Sequence, residues 1–290
     1  MTATLTPPPP PSETAGPPAS SGPNRFVTSV LEDLGKRASQ VIVAGLVALV
    51  ALTPVGIVGY RLYRHHQLNS ALAELAEHRN GSADGYSPEE IQRARDLAGQ
   101  LPGNRDAQRT LLGAELADGT AWAAVAVADG LLNSAGDTPE PGVYHDRGLA
   151  KELLALGGRG SCHDARLDFE AALRDHNRLL AEPDRHPNAA PLTPRAVAST
   201  FNHLGAMAFC EGDRSSAVAA YEQALAWAAD ADLAFNDPKL YLGALDPSRR
   251  DELWLETEPG REQAVACVRS LDEAQLSSFA AIYYGCVATG

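Results

Sequence analysis

The sequence predicts an all-α protein in which a single transmembrane helix is followed by an α-helical soluble domain. Three observations carry that expectation. Val41 to Tyr60 runs for twenty residues without a charged side chain. Alanine and leucine dominate the rest while aromatics make up only 6% of the chain, a composition that favours helix over sheet. A pattern of small and aromatic residues at Ala217, Tyr221, Ala224 and Leu225 has an upstream copy, offset by 52, at Ala165, Phe169, Ala172 and Leu173. The expected division is a Pro-rich tail over 1–24, a juxtamembrane amphipathic helix over 25–40, the span over 41–60 and the soluble domain over 61–290.

Residues 1–23 hold eight prolines, five of them in Pro7 to Pro11. Such a stretch buries almost nothing, so the entropy of ordering it is not offset, and it reads as disordered or polyproline-like. Phe26, Val27, Val30, Leu31 and Leu34 recur at helical spacing with Glu32, Asp33, Lys36 and Arg37 between them. Two readings stand for this stretch, a short helix lying on the membrane surface or the first turns of the span itself. At 1.5 Å per residue the twenty-residue run covers roughly 30 Å, the hydrocarbon thickness. Pro54 is tolerated in a membrane span, and Tyr60, Tyr63, Arg61 and Arg64 suit its interface. Forty residues precede the run and no Ala-x-Ala site follows it, which favours an anchor over a cleaved signal. Arg25, Lys36 and Arg37 before the span balance Arg61, Arg64 and Arg79 after it, so the positive-inside comparison is a tie.

The net charge of −13 belongs to residues 61–290, because Glu13, Glu32 and Asp33 cancel Arg25, Lys36 and Arg37. A domain this acidic repels phosphate backbones, which argues against a nucleic-acid partner. Membrane lipid and the other proteins of a membrane complex are the expected partners. Arginine greatly outnumbers lysine, and alanine, glycine and proline abound, as in a GC-rich bacterial coding bias.

Along the soluble part, Glu89 to Leu101 reads as a helix stopped by Pro102 and Gly103. Leu111-Leu112-Gly113, Trp122 and the alanine-rich run to Leu132 read as a degenerate helix pair. Tyr144, Gly148 and Leu149 to Leu156 form the first helix of the next pair, and Ala165 to Leu173 lie in its second. The segment Glu182 to Pro194, with four prolines, is a loop. Then come two helices, one ending near Gly212 and one starting near Ser215. Gly205, Ala208, Ala217 and Ala224 let them approach closely, and Phe201, Leu204 and Tyr221 fill the gaps. Arg261 to Leu271 and Glu273 to Val287 read as a last hairpin.

The run of Phe201, Leu204-Gly205, Ala208, Ala217, Tyr221 and Ala224 resembles a tetratricopeptide repeat. It departs from that family where Ala208 replaces the usual tyrosine and where Ala229 stands near the usual terminal proline. The resemblance implies a stack of about three or four helix pairs, each burying its face only against its neighbours. It also implies a concave face that takes a peptide or protein, and no cofactor. Asn202 alone fits the family's clamp for a C-terminal carboxylate, so that ligand is not implied. An acidic concave face would suit a basic or unfolded segment.

There are four cysteines, Cys162, Cys210, Cys267 and Cys286, none in a Cys-x-x-Cys pair. In a helical repeat the second helix of one pair lies antiparallel to the first helix of the next. Cys162, before one such helix, and Cys210, at the end of the other, therefore come within disulfide range. Cys286 overshoots Cys267 by about two turns of a straight helix, and the two meet only if the hairpin bends. An even count with one good pair points to an oxidising compartment. That places the tail in the cytoplasm and the domain on the periplasmic side of the inner membrane. Four apolar thiols packed in a helical core is the other reading.

No phosphate-binding loop, Gly-x-Ser-x-Gly elbow or His-Glu-x-x-His pair occurs. Cys162, His163, His203 and Cys210 offer a zinc ligand set, but His203 lies two turns from Cys210 on one helix, too far for both to reach one ion. Two functions of different class stand: a membrane-tethered scaffold or adaptor of a bacterial envelope complex, and an envelope enzyme or metal-binding protein.

Overall fold

The computed structural model describes residues 86–231, 237–255 and 262–287, together with Gln67, Leu68, Ser70, Ala71, Ala73 and Leu75. The tail, the juxtamembrane segment and the expected span lie outside the described residues. The chain divides into two units, Met1–His66 and Gln67–Gly290, and every described residue belongs to the second. No helix among the described residues is long and apolar enough to cross a membrane.

The described residues form α-helices and no strand: α1 (Pro88–Gln100), α2 (Arg105–Ala117), α3 (Ala121–Ala135), α4 (Pro141–Leu156), α5 (Cys162–Ala181), α6 (Pro194–Cys210), α7 (Arg214–Asp230), α8 (Asp237–Leu245), α9 (Arg250–Leu255), α10 (Glu262–Arg269), α11 (Glu273–Leu276) and α12 (Phe279–Ile282). A π-helical turn, Tyr283–Val287, closes the described chain. The starts are set by local chemistry. Ser87 and Glu90 make a capping box at α1, and Asn104, Ser161, Thr193 and Asp213 cap α2, α5, α6 and α7 with their side chains. Pro88, Pro141 and Pro194 each take the first helical position, where no amide hydrogen is missed. Gly212, at φ +82°, ends α6 in the left-handed conformation that glycine adopts without a Cβ penalty.

Each helix from α1 to α9 packs against the next, and α2–α3, α4–α5, α6–α7 and α8–α9 form four successive antiparallel pairs. The first helices also touch along the series, α2 to α4, α4 to α6 and α6 to α8. They form one layer, and the second helices lie behind it. Gly148, Gly205 and Gly243 sit on three of these first helices. A Cβ on Gly148 would lie 2.7 Å from the Phe169 ring, and one on Gly205 would lie 2.8 Å from the Tyr221 ring. Gly243 meets the Trp254 indole in the same way, and that indole N–H donates to the Leu240 carbonyl. Three pairs thus share one device, an aromatic ring from the second helix laid on a bare glycine of the first. The third was not read from the sequence.

Gly205, Ala208, Ala217, Tyr221 and Ala224 are buried, and Leu204 is partly buried against the same core. Phe201 stays half-buried outside that cluster, because the Tyr221 ring already covers Gly205. The expected last hairpin is corrected. Its second arm is broken into α11, α12 and the π turn. Asp272 and Gln275 make a capping box at α11, and the Ser278 side chain accepts the Ala281 N–H to start α12 afresh. The bend returns Cys286 to Cys267, with which it forms a disulfide at a Cα separation of 5.5 Å.

Candidate functional site

The first-helix layer is the surface from which a site is built, and its centre is the seam of α4 and α6. The Thr200 hydroxyl donates its single hydrogen to the Ala196 carbonyl at 2.6 Å. His145 Nδ1, 2.9 Å from the same oxygen, is therefore the donor in that pair. His203 stacks on Phe169 with ring centroids 5.5 Å apart and meets His145 edge-on at 6.1 Å. Its Nδ1 stands 2.8 Å from Oε2 of the buried Glu152. Asn202, one residue before His203, is 8% exposed and its Oδ1 lacks a donor. A buried acceptor without a donor loses its hydration and gets nothing in return. The seam thus holds one such acceptor, Asn202 Oδ1, beside two imidazoles.

Arginines tie successive pairs together behind this seam. Arg147 on α4 donates to both oxygens of Asp168 on α5, at 2.8 and 2.6 Å, and to Asp129 on α3 at 2.5 Å. Lys151 adds a second cation 2.8 Å from Asp168, which is 3% exposed. Burial opposes the charge on Arg147, but the hydrogen bonds to Asp168 and Asp129 outweigh it and push its pKa up. Arg105 and Arg109 both reach Glu140, each at 2.6 Å, and Arg95 bridges Glu115 and Asp118. Arg166 on α5 joins Glu211 and Asp213 beyond the end of α6. Asp213 is held far below the usual carboxylate range, chiefly by the Ser216 hydroxyl and N–H and then the Ser215 hydroxyl.

Helices α2, α4 and α6 carry Asp106, Glu115, Asp146 and Glu152 against Arg105, Arg109, Arg147, Lys151 and Arg195. Summed over its helices, the layer's acidic and basic side chains nearly cancel. Its far end is covered as well. Phe279 packs edge-on to Phe209 of α6 and stacks on Tyr241 of α8, and the Tyr284 hydroxyl donates to the Leu156 carbonyl at the end of α4. The chain's own C-terminal segment therefore occupies the layer beside α6 and α8.

Cys162, at the start of α5, is bonded to Cys210 at the end of α6, with Cα atoms 6.2 Å apart. Cys162, His163, His203 and Cys210 do not converge on one point. The two sulfurs are bonded to each other, His163 pairs with Glu211 at 2.9 Å, and His203 turns to Glu152. Among the described residues no three His, Cys, Asp or Glu side chains gather as a metal site. The arrangement defines an all-helical array of stacked pairs. No family model matches this chain, and no curated protein or solved structure matches it either.

Proposed function

We propose that this protein is a membrane-tethered interaction scaffold of the tetratricopeptide type, an adaptor or accessory subunit of a bacterial envelope complex. The observation that carries the reading is the continuous layer of first helices α2, α4, α6 and α8. A stack of this kind presents side chains from several pairs along one surface, which suits an extended partner better than a small molecule. Because α6 and α8 lie under the C-terminal segment, the partner's place is the exposed part of the layer from α2 to the seam of α4 and α6. The balanced charge there selects a polar, uncharged stretch rather than a basic one. The tether is the uncharged run Val41 to Tyr60.

Site-specific photo-crosslinking in intact cells tests it. A photoreactive residue at His145 or His203 should trap one discrete protein partner, and the same residue at Leu180, exposed on second helix α5, should not. Crosslinks from Leu180 alone, or equal ones from all three positions, would overturn the assignment of the first-helix layer.

A further inference from the structure

The two disulfides differ in their surroundings. Cys286 is 4% exposed and lies within the core cluster, and its partner Cys267 sits inside α10. Cys210 is exposed, and it lines a groove of about 480 Å³ where Leu156 and Tyr284 present apolar surface beside the polar Glu211, Ser277 and Ser278. Its partner Cys162 is the first residue of the twenty-residue helix α5, directly after the N-cap Ser161. Free backbone N–H groups and the helix dipole favour a thiolate at that position. The Glu211 carboxylate next to Cys210 shares Arg166, at 2.8 Å, with Asp213 and Glu170, each at 3.1 Å, and faces His163 at 2.9 Å. Asp164, exposed in the first turn of α5, is the nearest opposing charge in sequence.

We infer that Cys162–Cys210 is a thiol-exchange site whose substrate is a cysteine flanked by apolar side chains. A substrate thiolate attacks Cys210 Sγ, the sulfur on the groove side. A new S–S bond joins substrate to Cys210 as the Cys162–Cys210 bond breaks. The electron pair leaves on Cys162, where the start of α5 stabilises it, and the thiolate then takes a proton from water. One disulfide is consumed and one is formed, so no further oxidant is needed. A leaving thiol that is stable as its anion speeds this reaction, which is why the end that leaves should be Cys162 and the end that is captured Cys210. Leu156 and the Tyr284 ring, the accessible apolar part of the groove beside Cys210, hold the substrate's flanking residues. This site is independent of the partner surface at the α4–α6 seam.

The test uses the full oxidised chain in detergent, without denaturant. It is mixed with an end-blocked Leu-Cys-Phe peptide, quenched with N-ethylmaleimide and mapped by mass spectrometry under non-reducing conditions. The expected product carries the peptide on Cys210 and the maleimide on Cys162, with Cys267–Cys286 intact. Glutathione, charged and without apolar flanks, should react about tenfold more slowly, the factor that burying a methylene or two supplies. Peptide attached to Cys162, equal attack on both bridges, or no product until the chain is unfolded would overturn the inference. Equal rates for the peptide and glutathione would remove the groove from it.

Discussion

Gly205 and Tyr221 lie sixteen residues apart, and the crossing they make was legible because the spacing matches a known helix pair. The ring sits where a Cβ would be, so Gly205→Ala should overpack the crossing of α6 and α7 by about 1–3 kcal/mol. Gly130 gives the opposite case. It lies inside α3 with nothing within 4 Å of an added Cβ, so Gly130→Ala should gain up to about 1 kcal/mol from helix propensity. Thermal melts of the two variants should move in opposite directions, and a Gly205→Ala melt at or above the parent would refute the close crossing. The Gly148 and Phe169 contact was half legible, since Phe169 copies Tyr221 at the offset of 52 while Gly148 does not copy Gly205. Gly243 and Trp254 were not legible. Helices α8 and α9 have only nine and six residues, and their glycine and ring are eleven residues apart instead of sixteen. The seam side chains were equally hidden. Nothing in the sequence says that Arg147 will choose Asp129 and Asp168, or that His203 will turn away from Cys210 toward Glu152 on another helix.

At the scale of the element, local signals settled the helix ends, and the one misread helix shows why. Asp272 with Gln275, and Ser278 three residues before Ala281, are start signals, yet the apolar periodicity from Glu273 to Val287 outweighed them in the reading. The loop between α5 and α6 has its own anchor. His176 on α5 is 4% exposed, and its Nδ1 accepts the Leu192 N–H at 3.1 Å, which requires a neutral ring. Burial lowers the pKa of His176. The folded chain therefore binds fewer protons here than the unfolded chain. The stabilising contribution is complete above the ordinary value of about 6.5 and is lost as the pH falls toward and through the lowered one. A His176→Asn variant, whose amide oxygen can accept from Leu192 without titrating, should lose less melting temperature than the parent between pH 7 and pH 5. These endpoints bracket the free-histidine value of about 6.5. Parallel losses in the two proteins would show that His176 does not sense the proton.

At the scale of the whole molecule, the net charge misled where the charge distribution does not. A total of −13 suggested an acidic binding face, but the acidic and basic side chains on the first helices nearly cancel. The two bridges, closing loops of 48 and 19 residues, carry a consequence for topology. In the chain-entropy account each such closure stabilises the fold by about 3–4 kcal/mol, a gain available only where thiols stay oxidised. Together with the uncharged run Val41 to Tyr60, this sets the proposed orientation: tail inside, residues 61–290 outside. Three measurements on native membranes bear on it jointly. Alkaline carbonate should leave the intact chain in the pellet. Non-reducing peptide mapping should recover Cys162 linked to Cys210 and Cys267 linked to Cys286. An impermeant protease added to spheroplasts should digest residues 61–290 and spare the Pro-rich tail. Release by carbonate would remove the anchor, and with it the tethered function. Free thiols on a domain protected inside spheroplasts would reverse the orientation while leaving the stack of helix pairs intact, since Gly148, Gly205 and Gly243 hold their crossings without help from sulfur.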